Sequence, residues 1–338
     1  MSINNLVVTD DVEQVGGVRA EPATSPTASP SPAPKKSAKT TWRRALAKDW
    51  RLYSLLLLPI VYLVVFKYLP MAGNIIAFRR YRPGGNIFGD EWVGFHYFEM
   101  FINDPTFWRV FFNTIILGAV CLVLIFPLPI VLALMLNELR SAKFKRIAQS
   151  ISYLPHFMSV VIVAGLVLQL VSTRGTINQI IDAFGGTPID FIQKPEWFRP
   201  IFVSSEIWQT VGWGTILYLA ALTTIDPQLY EAARIDGANR WKQTWHVTLP
   251  GIAPTIVVLL ILNIGSFLNV SFEKVLLLYN PLNLETADIL STYLYRVGIG
   301  SGSFSYATAV GLFEALIGLA LVLGANFISK RVTGASLW

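Results

Sequence analysis

The chain is poor in charge: 14% of its 338 residues are Asp, Glu, Lys or Arg, where a soluble domain carries about a quarter. Its single cysteine, Cys121, lies inside an apolar run, so there is no disulfide framework. Its three histidines, His96, His156 and His246, are scattered without metal-ligand spacing, which fits structural or interfacial roles better than catalysis. No Gly-x-x-x-x-Gly-Lys-Ser/Thr loop occurs, so the chain cannot bind and hydrolyse ATP in that way. The first residues also lack the apolar core of a signal peptide. Residues 1–34 are acidic, then rich in Ser, Pro, Ala and Thr ("TSPTASPSPAP"). Such a segment cannot bury enough surface to offset its ordering entropy. Residues 1–44 are therefore expected to be a disordered cytoplasmic segment ahead of a membrane domain over 45–338.

Apolar surface is abundant instead. Hydrophobic residues make up 53% of the chain, and the mean hydropathy is +0.52. A helix needs about 20 apolar residues to cross roughly 30 Å of hydrocarbon. Six runs meet this: about 52–69, 113–136, 151–171, 201–222, 251–272 and 306–328. A soluble helical protein would show polar faces at helical spacing, and these runs show almost none. The expected fold is an all-α bundle of six transmembrane helices.

Basic residues set the orientation. Lys35, Lys36, Lys39, Arg43, Arg44, Lys48 and Arg51 precede the first run. Arg140, Lys143, Lys145 and Arg146 lie between the second and third, Arg234, Arg240 and Lys242 between the fourth and fifth, and Lys330 and Arg331 in the tail. Both termini are thus expected in the cytoplasm. Arg79, Arg80 and Arg82 run against the rule and are outweighed. The net charge of +6 is explained by this placement beside membrane spans and does not point to nucleic acid.

"EAARIDGANRWKQTWHVTLP", residues 231–250, is a polar stretch between apolar ones. Asp226-Pro227 is a good helix start: a carboxylate to accept from free N–H groups, then a proline with preset φ. Residues 228–236 are helix-compatible, and Gly237 can turn left-handed and end the helix. A second short helix can follow, before Pro250 opens the next span. Leu229, Ala232, Ala233 and Ile235 could face a partner, leaving Glu231 free for a charged contact. An ordinary amphipathic surface helix would look similar.

Here the residues resemble a family. Glu231-Ala232-Ala233, three residues, Gly237, nine residues, then Val247-Thr248-Leu249-Pro250 follows the cytoplasmic signature of permeases in bacterial binding-protein-dependent ABC importers, with valine in place of isoleucine. "FKYLPMAGNIIAFRRY", "WVGFHYFEMF", "NTIILG", "ALMLNELR", "SYLPHFMS", "YNPLN" and "FSYATAVGLFEALIG" resemble its carbohydrate-uptake branch, from about residue 45 onward. The resemblance implies an oligosaccharide or polysaccharide importer in the bacterial cell membrane. Glu231, Ala232, Ala233, Asp236, Gly237, Leu249 and Pro250 would then form a coupling helix docking on a separate ATPase. The implied partners are a second, unlike permease, two ATPase subunits and an extracytoplasmic sugar-binding protein. This chain would carry no cofactor, with ATP and Mg bound by the ATPase.

The transport path is expected where polar and aromatic groups face a cavity. Candidates are Trp208, Gln209 and Trp213 in the fourth span, with Tyr218 beyond. In the fifth they are Asn263, Ser266, Phe267 and Asn269, with Ser271 beyond. Asn263, Ser266 and Val270 would share one helical face. Amides, hydroxyls and flat rings suit a neutral sugar, although Ser and Asn in membrane helices also bond across helices. Glu314, mid-span, reads as a pore-lining carboxylate or as a hydrogen-bonded structural group, with no basic partner evident at mid-membrane. Pro127 and Pro129 should bend the second span. Gly311/Ala315 and Ala320/Gly324 read as close-packing sets. Phe88, Trp92, Phe95, Tyr97, Phe98, Phe101 and Trp108 should contact the outer leaflet, the bundle or a docked binding protein. Competing readings are a permease for glycerol-phosphate or a polyol, an ATP-independent secondary transporter and a membrane-embedded enzyme. The secondary transporter would need intramembrane charges matched to a coupling ion. The enzyme would need a histidine or carboxylate cluster.

Overall fold

A computed structural model of the chain describes residues 50–268 and 270–332. The expectations for residues 1–44 and for Asn269 fall outside them. The chain divides into two units, residues 1–61 and 62–338. The described part of the first lies in helix α1 (Trp50–Leu63), whose Leu55, Leu57 and Leu58 are all exposed.

Among its described residues the second unit continues helically from Val64 to Phe78 and carries one hairpin of two-residue strands, β1 (Arg79–Arg80) against β2 (Glu91–Trp92), before a series of helices. Its helices are α2 (His96–Ile102), α3 (Pro105–Ile125), α4 (Pro127–Asn137), α5 (Ala142–Tyr153), α6 (Val160–Val171), α7 (Thr176–Ala183), α8 (Pro195–Leu222), α9 (Pro227–Ile235), α10 (Arg240–Gln243), α11 (Leu249–Gly265), α12 (Phe272–Leu278), α13 (Leu284–Ala287), α14 (Leu290–Tyr295) and α15 (Phe304–Val332).

Five helical stretches are long and apolar enough to cross a membrane: Tyr53–Phe78, Pro105–Asn137, Val160–Ala183, Arg240–Gly265 and Phe304–Arg331. The expected fourth span corresponds to α8, whose 28 residues would reach about 42 Å at 1.5 Å per residue. It falls outside the five because Ser204, Ser205, Glu206, Gln209 and Thr210 interrupt its apolar surface. Two expected spans are not continuous. The third is broken at Met158–Ser159, ahead of α6. The fifth stops being helical at Gly265, where Ser266 donates back to the carbonyl oxygens of Leu262 and Asn263.

At the prolines where a bend is expected, the second span departs from regular helix at a single residue. Phe126 joins α3 to α4, and Pro127 opens α4 without an N–H to offer the preceding turn. The small-residue sets do not pack closely within the chain. A Cβ on Gly311 would come no nearer than 3.9 Å to Leu294, and Gly324 has nothing within 4 Å. The two sets lie on opposite faces of α15, with Ala315 and Ala320 exposed and Gly311 and Gly324 half-buried.

Close helix approach occurs elsewhere. A Cβ on Gly212 of α8 would lie 1.9 Å from the Ser152 carbonyl oxygen of α5, and one on Gly118 of α3 would lie 2.7 Å from that of Phe267. Aromatic packing dominates one end of the unit, around Phe101, Phe107, Tyr293 and Tyr306. Trp92 and Phe95, from the same aromatic stretch, stay exposed. Ser305 anchors the hairpin by accepting from the Tyr81 N–H and donating to the Arg79 carbonyl. Asn113 draws Arg199 (2.9 Å) and the carbonyls of Glu285 and Asp288 together, joining α3, α8 and α13. Asp288 also pairs with Arg296, whose pKa this bond raises further against opposing desolvation.

Candidate functional site

Two places concentrate polar side chains beside otherwise apolar helices. The first is the connection from α8 to α11. Asp226 caps α9 by accepting from the Gln228 N–H at 2.9 Å, and Pro227 follows in the first turn. The helix ends at Gly237, which has φ of +75°. The N–H of Gly237 donates to Arg234 and that of Ala238 to Ala233, satisfying carbonyls that an α-helix end leaves open. Asn239 then caps α10 through the Lys242 N–H.

This connection is anchored on one side and bare on the other. Tyr218, Leu222, Ile225 and Ile252 form a buried cluster against which Tyr230, Val247 and Leu249 pack. Tyr230 and Thr248 hydroxyls bond at 3.1 Å, tying α9 to the turn leading into α11. Arg240 pairs with Glu138 at the end of α4, although both are largely exposed and such a pair contributes about 0–1 kcal/mol. Glu231, Ala232, Asp236 and Pro250 are exposed, Ala233 and Leu249 half-buried, and Ile235 is 87% exposed. A monomer gains nothing by ordering an apolar and acidic surface of this kind in water.

The second place is a cleft made of two adjoining cavities of about 440 and 490 Å³, which share His156, Glu206, Thr210 and Ser271. Glu206, Thr210, Trp213 and Leu217 recur at helical spacing, so one face of α8 supplies them. Trp213 stacks flat on His156, with ring centroids 4.5 Å apart and planes at 6°. Asn263, Ser266 and Phe267 line the first of the two cavities, and Gln209 lines the second while donating to the Met158 carbonyl. Trp208 lies on the opposite face of α8, in a separate cavity with Leu166, Leu170 and Trp197. Asn263 and Ser266 bond to their own helix, not to a neighbour. Val270 also lines the cleft, but past the helix end, so a shared helical face does not explain its position.

A buried charge pair is the feature that sequence reasoning missed. Lys274 Nζ lies 3.0 Å from Glu206 Oε1, with the two side chains 1% and 11% exposed. The geometry is that of an ion pair without hydrogen-bond alignment; among the described residues Nζ has no hydrogen-bond partner, and the Phe202 ring lies 6.0 Å from it. Ser271 donates to the same carboxylate oxygen at 2.7 Å. Removing one member of such a pair costs about 3–5 kcal/mol. Glu206 is thus a carboxylate inside an expected span in addition to Glu314, and unlike Glu314 it has a basic partner. Its signal was present: a glutamate inside the 201–222 run. Lys274 gave none, because its burial comes from the restart of the chain as α12 beside α8. Glu314 itself keeps one buried carboxyl oxygen without a hydrogen-bond partner. Among the described residues no cluster of His, Cys, Asp and Glu could hold a metal ion.

Comparison with known proteins fits this geometry. The family model "Binding-protein-dependent transport system inner membrane component" matches residues 97–334. The polygalacturonan/rhamnogalacturonan transport system permease protein YteP of Bacillus subtilis is 50% identical over 298 residues, covering 88% of this chain and 93% of that one. Protein LplB of the same organism is 48% identical over 292 residues, covering 86% and 92%. Among solved structures, a chain of a bacterial ABC transporter importing the acidic polysaccharide alginate superimposes with a TM-score of 0.81 at 43% identity, covering 86% of this chain and 99% of that one. The chain belongs to the family of binding-protein-dependent transport system inner membrane components.

Proposed function

We propose that the chain is the permease subunit of an ATP-driven importer for an oligosaccharide or polysaccharide, delivered by an extracytoplasmic binding protein. The observation that carries this is the family match over residues 97–334, which contains both the cleft and the α9–α10 connection. YteP is named for polygalacturonan and rhamnogalacturonan, and an alginate transporter related in structure forms a complex with a pentasaccharide-bound periplasmic protein. Both names denote polymers rich in carboxylate-bearing sugars, which supports a cargo of that class.

In this reading α9, Gly237 and α10 receive the stroke of a separate ATPase, which binds ATP and Mg. The exposed face around Glu231 meets the ATPase, and the packing of Tyr230, Val247 and Leu249 passes its movement to α8 and α11. The cleft lies between those same helices, so a tilt of the connection changes its width. A second, unlike permease supplies the opposite wall. Both termini and the α9–α10 connection lie in the cytoplasm, with the hairpin and α13 outside.

The purified importer should hydrolyse ATP only when its ATPase subunits are present, faster with sugar-loaded binding protein. Uptake driven by a proton or sodium gradient without ATP would overturn the reading. Single cysteines in a Cys121-free background test the orientation. Position 240 should label from the cytoplasmic side and positions 190 and 282 from the other, with Leu282 chosen because the adjacent Asn283 is fully buried, and the reverse pattern would exclude the coupling role.

A further inference from the structure

Among the described residues, Lys274 is the one lysine or arginine lining either cavity of the cleft, where it faces Glu206 and the exposed Glu273. Stability does not call for a buried ion pair here, since apolar residues of similar volume commonly serve as well or better. Ionisable groups within membrane helices mark the paths of solutes. Resting on the sugar-import reading, we propose that Lys274 is the charge-selectivity residue of the pathway. It neutralises Glu206 so that sugars bearing carboxylates can pass.

The geometry supports this division of labour. Glu206 Oε1 is met from the α12 side by the Lys274 ammonium at 3.0 Å and by the Ser271 hydroxyl at 2.7 Å. Glu206 lines both cavities, on the same face of α8 as Trp213, a residue 43% exposed whose ring stacks on His156. A sugar ring lying on Trp213 therefore sits within about two helical turns of Glu206. With Lys274 in place the carboxylate presents a compensated pair. Without it, two carboxylates and no fixed cation face the cleft, in a region of low dielectric where like charges repel strongly. A neutral sugar is indifferent to that change, and a uronate chain is not.

The test uses the complete importer in proteoliposomes, with a galacturonate oligosaccharide and its carboxyl-reduced counterpart as cargoes, each corrected for loading of the binding protein. K274M should lower uptake of the acidic cargo about tenfold or more and the neutral one less than about threefold. E206Q/K274M, which removes both charges, should return acidic uptake to within about threefold of wild type. E206Q/K274M leaves no buried charge unpaired, so this arm stands even where K274M fails to assemble. Equal loss of both cargoes in K274M, or no rescue in the double variant, would each overturn the inference. So would a wild-type importer that takes only the neutral cargo, which leaves the importer reading intact. A wild type that takes neither cargo with ATP would instead defeat that reading.

Discussion

Gly237→Val should abolish coupled uptake while leaving sugar binding by the external protein unchanged. The native φ of +75° puts this residue in the left-handed region, where a side chain costs roughly 1–2 kcal/mol and a β-branched one more. No atom lies within 4 Å of the Cβ that would be added, so crowding plays no part and the backbone carries the whole effect. The strain is relieved by unwinding the end of α9, which turns the Glu231 face away from its partner. Asparagine tolerates this conformation, so Gly237→Asn should keep most of the activity. Glu231→Ala leaves the fold alone and removes the charge. At a desolvated contact that costs about 2–5 kcal/mol, enough to weaken ATPase association tenfold or more. ATP hydrolysis and uptake, measured together in proteoliposomes, separate loss of coupling from loss of assembly. Normal coupled uptake in Gly237→Val and Glu231→Ala would end the coupling assignment.

Gly212→Val should prevent the chain from reaching a folded state. Even the first carbon would sit 1.9 Å from the Ser152 carbonyl oxygen and 2.4 Å from its carbon. Those are backbone atoms with no rotamer by which to yield, so α8 and α5 must separate by more than an ångström. Overpacking typically costs about 1–3 kcal/mol, and a backbone clash this deep lies at or beyond the upper end. Separation would also pull Trp213 off His156 and open the cleft. Gly165→Ala, on an exposed face of α6 with nothing within 4 Å, is the matched control and should be tolerated. Thermal unfolding followed by size-exclusion fluorescence distinguishes the two. Equal stability of both variants would mean that α5 and α8 do not approach as closely as described.

Local rules made the α9–α10 connection legible in advance. An aspartate before a proline and a glycine at the helix end fix backbone geometry within a few residues, whatever the rest of the chain does. The apolar runs were legible for the same reason, since length and composition alone decide whether a helix can sit in hydrocarbon. The break after Gly265 was not, because apolar composition continues through Leu268 while a serine bonding to its own backbone ends the helix. Nor was the partner of Glu206. Residue type alone put Trp208 and Trp213 in one pathway, although helical spacing sets them on opposite faces of α8. Applying that spacing to Glu206 would have aimed it into the cleft, but Lys274 is brought to it only by the return of the chain as α12.

The polarity of α8 bears on how the protein is made. A helix enters the bilayer readily when its own apolarity suffices, and a central acidic residue costs about 2.5–3.5 kcal/mol on insertion scales. Glu206 reaches the membrane before Lys274 and Ser271 have been synthesised, so during that interval its charge has no counter-ion. The preceding α4 and α5 are already available, and α8 packs on both, at Pro129 through Gly214 and at Ser152 through Gly212. Entry of α8 is therefore a joint event with helices already in place, and its final anchoring awaits the part of the chain that carries Lys274. Nascent chains arrested shortly after residue 222 should hold α8 loosely, and chains extended beyond α12 should hold it firmly.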